Sequence, residues 1–149
     1  MPEARKAPRI LLMDDDDAVA RVLARVLQAI GYSVKSVPDG ERALEAWREA
    51  KASGRPFSAA ILDLSVARGL GGIETLARLK KLDPEARAIV SSGYSSDPIL
   101  SEYRAHGFCG ALPKPFRLKD VSTTLRAALG RPPRKGAAPG SCPEPPRCS

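Results

Sequence analysis

Residues 10–17 read Ile10-Leu11-Leu12-Met13-Asp14-Asp15-Asp16-Asp17, an apolar run that stops abruptly at four acids. Two later runs end in a similar way. Phe57 to Leu62 stops at Asp63, and Phe108 to Leu112 gives way, after Pro113, to Lys114. Short apolar runs bounded by turn residues suit buried strands. In a parallel α/β sheet, ligands bind beyond the carboxyl ends of the strands, near a switch in strand order. Gathered there, Asp14, Asp15, Asp63 and Lys114 would form a site for a divalent cation and a phosphoryl group, with Asp63 as the acceptor.

The rest of the chain supplies the elements such a sheet needs. Arg9 to Met13 is the first strand. Asp16 can cap the following helix, where unpaired amides and the dipole favour negative charge. Val19, Val22, Leu23, Val26, Leu27 and Ile30 then recur as one apolar stripe, and Gly31 is a natural stop. Tyr32 to Val37 is a second strand, followed by a turn at Pro38-Asp39-Gly40 with Asp39 as cap. The second helix carries Ala43, Leu44, Trp47 and Ala50 and ends by Ser53-Gly54. Phe57 to Leu62, broken only by Ser58, suits a central strand covered on both faces.

Ser65 to Gly72 is a glycine-rich loop. A third helix presents Ile73, Leu76, Leu79 and Leu82 and stops at Asp83-Pro84. Ala88 to Ser92 is a fourth strand. Pro98 fits the first turn of a fourth helix, running through Leu100 and Tyr103 to Gly107. Phe108 to Leu112 is a fifth strand. A last helix starts at Phe116, with Leu118, Val121, Leu125 and Leu129 inward, and ends at Gly130. The alternation predicts an α/β fold: a five-stranded, doubly wound, mainly parallel sheet with five helices.

Length and composition bound the function. One domain is expected over residues 9–130, with a flexible N-terminus at 1–8 and a disordered, proline-rich basic tail at 131–149. Apolar content of 43% can build a core, and no run approaches the roughly 18 residues needed to span a membrane. The N-terminal apolar run is too short for a signal peptide, so a cytoplasmic protein without a membrane partner is expected. The formal net charge is +7, yet residues 10–130 hold 17 basic against 15 acidic side chains. The basicity lies mostly in the tails and no aromatic residues interleave it, which argues against a nucleic-acid partner. The cysteines are Cys109, Cys142 and Cys148. The absence of a CxxC pair and the lone histidine, His106, argue against a zinc site, and three free thiols are expected in the cytosol.

These residues resemble the receiver domain of bacterial two-component response regulators. The likeness covers roughly residues 9–130 and rests on four features in order: the acidic pair, the Asp after the third strand, a small hydroxyl after the fourth, and Lys114-Pro115-Phe116 after the fifth. It implies a flavodoxin-like receiver fold. It implies Mg²⁺ held by Asp14, Asp15, Asp63 and the backbone carbonyl of Ser65, with Asp63 as phospho-acceptor. Lys114 is then the conserved-type lysine, and Ser92, 22 residues before it, the switch hydroxyl; Ser91 would need the register moved by one. Pro115 in the cis form is also a feature of the family. Apart from the resemblance, Tyr94, two residues after Ser92, could shield an acyl phosphate from water. The loop Val66–Gly72 and the SSGYSSDP stretch look most like receivers at the C-terminus of hybrid histidine kinases. Ala111 departs from the pattern, since the family places an aromatic switch residue three before the lysine.

The chemistry implied is positioning plus electrostatics rather than acid–base work. A dianionic phosphoryl group approaches a carboxylate only after charge neutralisation, which Mg²⁺ with oxygen ligands provides. The implied partners are a histidine kinase or histidine phosphotransfer protein as donor, and a downstream signalling protein. The expectation is therefore a phospho-acceptor signalling module and not an enzyme in the usual sense. An aspartyl-phosphate hydrolase would need a second acid two residues after the nucleophile, where Ser65 stands. A phosphorylation-independent binding module would not need all four polar site positions.

Overall fold

In the computed structural model of the protein, residues 8–64, 71–93, 98–114 and 116–129 are described. Five strands are present: β1 (Arg9–Met13), β2 (Ser33–Val37), β3 (Ala59–Asp63), β4 (Ala88–Ser92) and β5 (Gly110–Pro113). They alternate with α1 (Asp17–Ala29), α2 (Gly40–Ala52), α3 (Gly72–Leu82), the single turn α4 (Pro98–Ser101) and α5 (Leu118–Leu129). All four pairings are parallel, in the order β2-β1-β3-β4-β5. The order reverses between β1 and β3, so the carboxyl ends of those two strands flank the switch point.

Period-two alternation sends each strand's side chains to two cores. Leu11, Met13, Leu62 and Val90 pack with Ala43, Ala46 and Trp47 of α2 and Leu76 and Leu79 of α3. Ile10, Leu12, Ile61, Ile89 and Leu112 pack with Leu23 and Leu27 of α1 and Val121 and Leu125 of α5. The central strands β3 and β4 are buried at every position, as their continuous apolar runs predict. Asp16 caps α1 by accepting from the amides of Ala18 and Val19 at 3.0 and 3.2 Å, and Asp39 caps α2 through the amide of Arg42 at 2.9 Å. Gly31 follows α1 with φ 105°, a left-handed conformation that side chains disfavour.

Several boundaries differ from expectation. β3 begins at Ala59, not Phe57, and includes Asp63. Phe57 instead packs its ring against Trp47 at 5.7 Å, beneath the Arg9 guanidinium at 4.5 Å. β5 begins at Gly110, not Phe108, whose amide bonds back to the Tyr103 carbonyl. The fourth helix is not continuous to Gly107: α4 ends at Ser101 and a 3₁₀ turn spans Tyr103–His106. Only Ile99, Leu100 and Tyr103 of this segment reach the core, so nothing apolar anchors a further turn.

Val22, Ile73 and Leu118 are exposed rather than inward, at 58%, 42% and 53%. Alanines take their share of the contact: Ala20 and Ala128 are buried, which lets the helices lie close on the sheet. Cys109 is disulfide-bonded, which corrects the expectation of three free thiols; its partner lies outside the described residues. So do residues 131–149 and all but Pro8 of residues 1–8. No described helix is long and apolar enough to cross a membrane.

Candidate functional site

The four acids after β1 divide into distinct roles. The Asp14 amide donates to the Val37 carbonyl at 3.1 Å, carrying the β1–β2 pairing one rung past the strand. This fixes the Asp14 backbone at the sheet's carboxyl edge. Its side chain is 4% exposed. One oxygen, Oδ1, accepts from the Asp16 amide at 2.9 Å, and Oδ2 accepts from Lys114 Nζ at 2.8 Å. Asp15 is exposed, and Asp16 is committed to the helix cap.

Asp63 is the last residue of β3 and 5% exposed. Lys114 Nζ stands 3.6 Å from its Oδ1. Lys114 lies just past β5, where its amide donates to the Ser92 carbonyl at 2.8 Å. That bond locks the lysine to the end of β4, and Ser92 itself is 1% exposed. Carboxylate oxygens of Asp14, Asp15 and Asp63 all lie within 4.8 Å of one another. Buried carboxylates are costly unless paired. Among the described residues, the three carboxylates gather around the Lys114 ammonium. The donors are all oxygen, which suits a hard divalent cation.

Thus the structure brings together Asp14, Asp15, Asp63 and Lys114, with Ser92 at the adjoining strand end. Ser65, Tyr94 and Pro115 lie outside the described residues. Ala111 is half-buried against the same core as Ile99, Leu100 and Tyr103. One position was missed from sequence. A Cβ at Gly72 would meet the Asp63 carbonyl oxygen at 2.7 Å and the Leu64 Cα at 3.3 Å. The first residue of α3 therefore rests directly on the chain leaving β3. The paired glycines before that helix were the available signal; they read only as a loop.

The family model described as the response regulator receiver domain matches residues 10–126. Over 120 residues the chain is 35% identical to the sensor kinase CckA of Brucella abortus, covering 80% of this chain and 12% of that protein. It is 30% identical over 121 residues to the response regulator receiver protein CpdR of the same organism, covering 81% of this chain and 96% of that protein. Against the response regulator MprA of Mycolicibacterium vanbaalenii, at 38% identity, it spans 51% of the relative's length. Among solved structures, a CheY-like response regulator receiver domain from Methanospirillum hungatei superposes with TM-score 0.68 at 26% identity, covering 83% of this chain and 94% of that one. A LuxR-family response regulator from Aurantimonas shares the fold with TM-score 0.72 at 24% identity, covering 84% of this chain and 87% of that one. With the matched residues running from β1 into α5 and including the acidic cluster at the switch point, the chain belongs to the response regulator receiver domain family.

Proposed function

We propose that this receiver domain takes a phosphoryl group from a phosphohistidine protein onto Asp63 and changes conformation as a result. The observation that carries the reading is the convergence of three carboxylates and Lys114 at the ends of β1, β3 and β5. In the transfer, the donor's phosphorus–nitrogen bond breaks as an Asp63 carboxylate oxygen bonds to phosphorus. The electron pair stays on the imidazole nitrogen, which takes a proton from water. Lys114, within reach of both Asp14 and Asp63, pairs with one oxygen of the incoming group as a point charge. Ser92 donates its hydroxyl to another.

Asp14, Asp15 and Asp63 are the side chains that would hold Mg²⁺, with the Ser65 carbonyl as a further ligand. When bound, the ion supplies the charge neutralisation that lets two anions meet. Asp14 is already engaged on both oxygens, so its role through a water molecule is the natural one. The new anion draws Ser92 inward and shifts the chain that follows β4. Ala111 stands in the place of an aromatic residue and packs, like Leu100 and Tyr103, against the core under α2 and α3, so the change is read through that surface rather than through an aromatic side chain at position 111.

The phosphoryl donor is a histidine kinase or histidine phosphotransfer protein, and the output is a downstream signalling protein in the cytoplasm. Residues 9–130 form the receiver. The likeness to CckA supports a receiver of the hybrid-kinase type. Intact mass after incubation with acetyl phosphate and Mg²⁺ tests the reading. One phosphoryl adduct is expected, absent in Asp63→Asn and in EDTA. Failure of the wild-type chain to load either a phosphoryl group or beryllofluoride would overturn it.

A further inference from the structure

Ser91 precedes the switch position and takes no part in the scheme above. It is 2% exposed, and its Oγ has no hydrogen-bond partner among the described residues. A buried hydroxyl without a partner is disfavoured, so such a group calls for a reason. Its place in the sheet supplies one. Ser91 is the register partner of Asp63 across β3 and β4. Register partners on neighbouring strands project to the same face, and the strands run roughly 4.7–4.9 Å apart. Ile61 and Ile89, two residues earlier in each strand, share the core under α1 and α5. Asp63 and Ser91 therefore both project on that side, and Ser92 projects on the other, with Val90. On its far side Ser91 is paired with Leu112, which is apolar. The polar side chain laterally beside the hydroxyl is the Asp63 carboxylate.

We infer that Ser91 is a second hydroxyl of the acceptor site, one that donates to the Asp63 carboxylate while it carries the phosphoryl group. This rests on Asp63 being the acceptor. Its effect falls on loss of the group. In hydrolysis a water oxygen bonds to phosphorus and the bond from phosphorus to the Asp63 oxygen breaks. The electron pair returns to the carboxylate, and the water's proton leaves with the phosphate or to solvent. Negative charge grows on the carboxylate in the transition state, where a fixed donor is worth most. A hydroxyl with no partner in the resting protein loses no existing bond when it swings to meet that charge. Ser92, on the opposite face, acts on phosphoryl oxygens, so the two serines would affect different steps.

The test uses the full chain as wild type, Ser91→Ala and Asp63→Asn. Each is loaded with acetyl phosphate and Mg²⁺ and the donor removed. Loss of adduct is followed by intact mass, and the melting temperature of the unloaded protein is recorded. Ser91→Ala is expected to retain its adduct about three- to tenfold longer, the worth of one hydrogen bond expressed in rate, and to melt no lower than wild type. Equal adduct lifetimes in wild type and Ser91→Ala, or a shorter one in the variant, would overturn the inference and leave the acceptor reading intact. A melting temperature well below wild type would show that Ser91 is bonded at rest and would also overturn it. Absence of adduct in the wild type would overturn both together.

Discussion

Gly72→Ala tests how tightly α3 is seated on the acceptor strand. The added Cβ would stand 2.7 Å from the Asp63 carbonyl oxygen, while ordinary van der Waals contact begins near 3.4 Å. The opposing atom is backbone, not the end of a flexible side chain, so helix and strand must separate by roughly 0.7 Å between them. Overpacking of this kind costs about 1–3 kcal/mol, offset by up to about 1 kcal/mol from alanine's helix preference. A net loss of about 1–2 kcal/mol is expected, seen as a fall of several degrees in melting temperature. The larger effect falls on the site. A misplacement on the order of 1 Å can cost about 10²-fold in rate, so phosphorylation by acetyl phosphate should slow about tenfold in a mass-spectrometric time course. Gly71→Ala is the internal comparison, because its Cβ would meet the Leu64 carbonyl oxygen at 3.1 Å; it should be milder in both measures. Wild-type stability and rate in Gly72→Ala, or a worse defect in Gly71→Ala, would refute the reasoning.

Three further outcomes follow from the geometry. Lys114→Met leaves the buried Asp14 carboxylate without its 2.8 Å partner. The variant should lose about 1–3 kcal/mol in denaturant unfolding, bind Mg²⁺ more tightly by calorimetry, and gain more melting temperature from Mg²⁺ than wild type does. Asp83 joins α2 to the end of α3: it accepts from the Trp47 indole at 3.0 Å and from the Glu85 amide at 3.1 Å, with Lys51 at 3.5 Å. Burial alone would push its carboxyl up, but these hydrogen bonds and the Lys51 charge together hold it below its ordinary value. A carboxyl depressed on folding contributes stability above its unfolded value near 3.9, lost as pH falls through the folded value. Asp83→Asn should therefore reduce stability at neutral pH and flatten the loss of stability below about pH 4, as read by Trp47 fluorescence during unfolding. Removal of divalent cations with EDTA should abolish adduct formation in the wild type and restore it on adding Mg²⁺ back.

The site was legible because strand ends are marked in the sequence. Asp14, Asp63 and Lys114 each terminate an apolar run, and parallel pairing brings those ends to one edge. The cores were legible for the same reason, from the uninterrupted runs of β3 and β4. What escaped had no periodic signature. Val22 and Leu118 carry the right chemistry for a buried stripe, but the surface of the sheet does not extend beneath them. The break after Ser101 reflects too few apolar anchors in a segment that otherwise looks helical. Gly72 and Ser91 are placed beside Asp63 only by the register of β3, β4 and α3. The spacing from Lys114 placed the switch hydroxyl at Ser92, and the pairing of β4 has Ser91 and Ser92 projecting to opposite faces.

The central claim is that Asp63, and not another acid of the cluster, carries the phosphoryl group. Borohydride reduction of the acetyl-phosphate-treated protein converts an aspartyl phosphate to homoserine, which peptide mapping can locate. The account predicts homoserine at position 63 alone, dependent on Mg²⁺. Homoserine at Asp14 or Asp15, or at no position while an adduct is present, would contradict it.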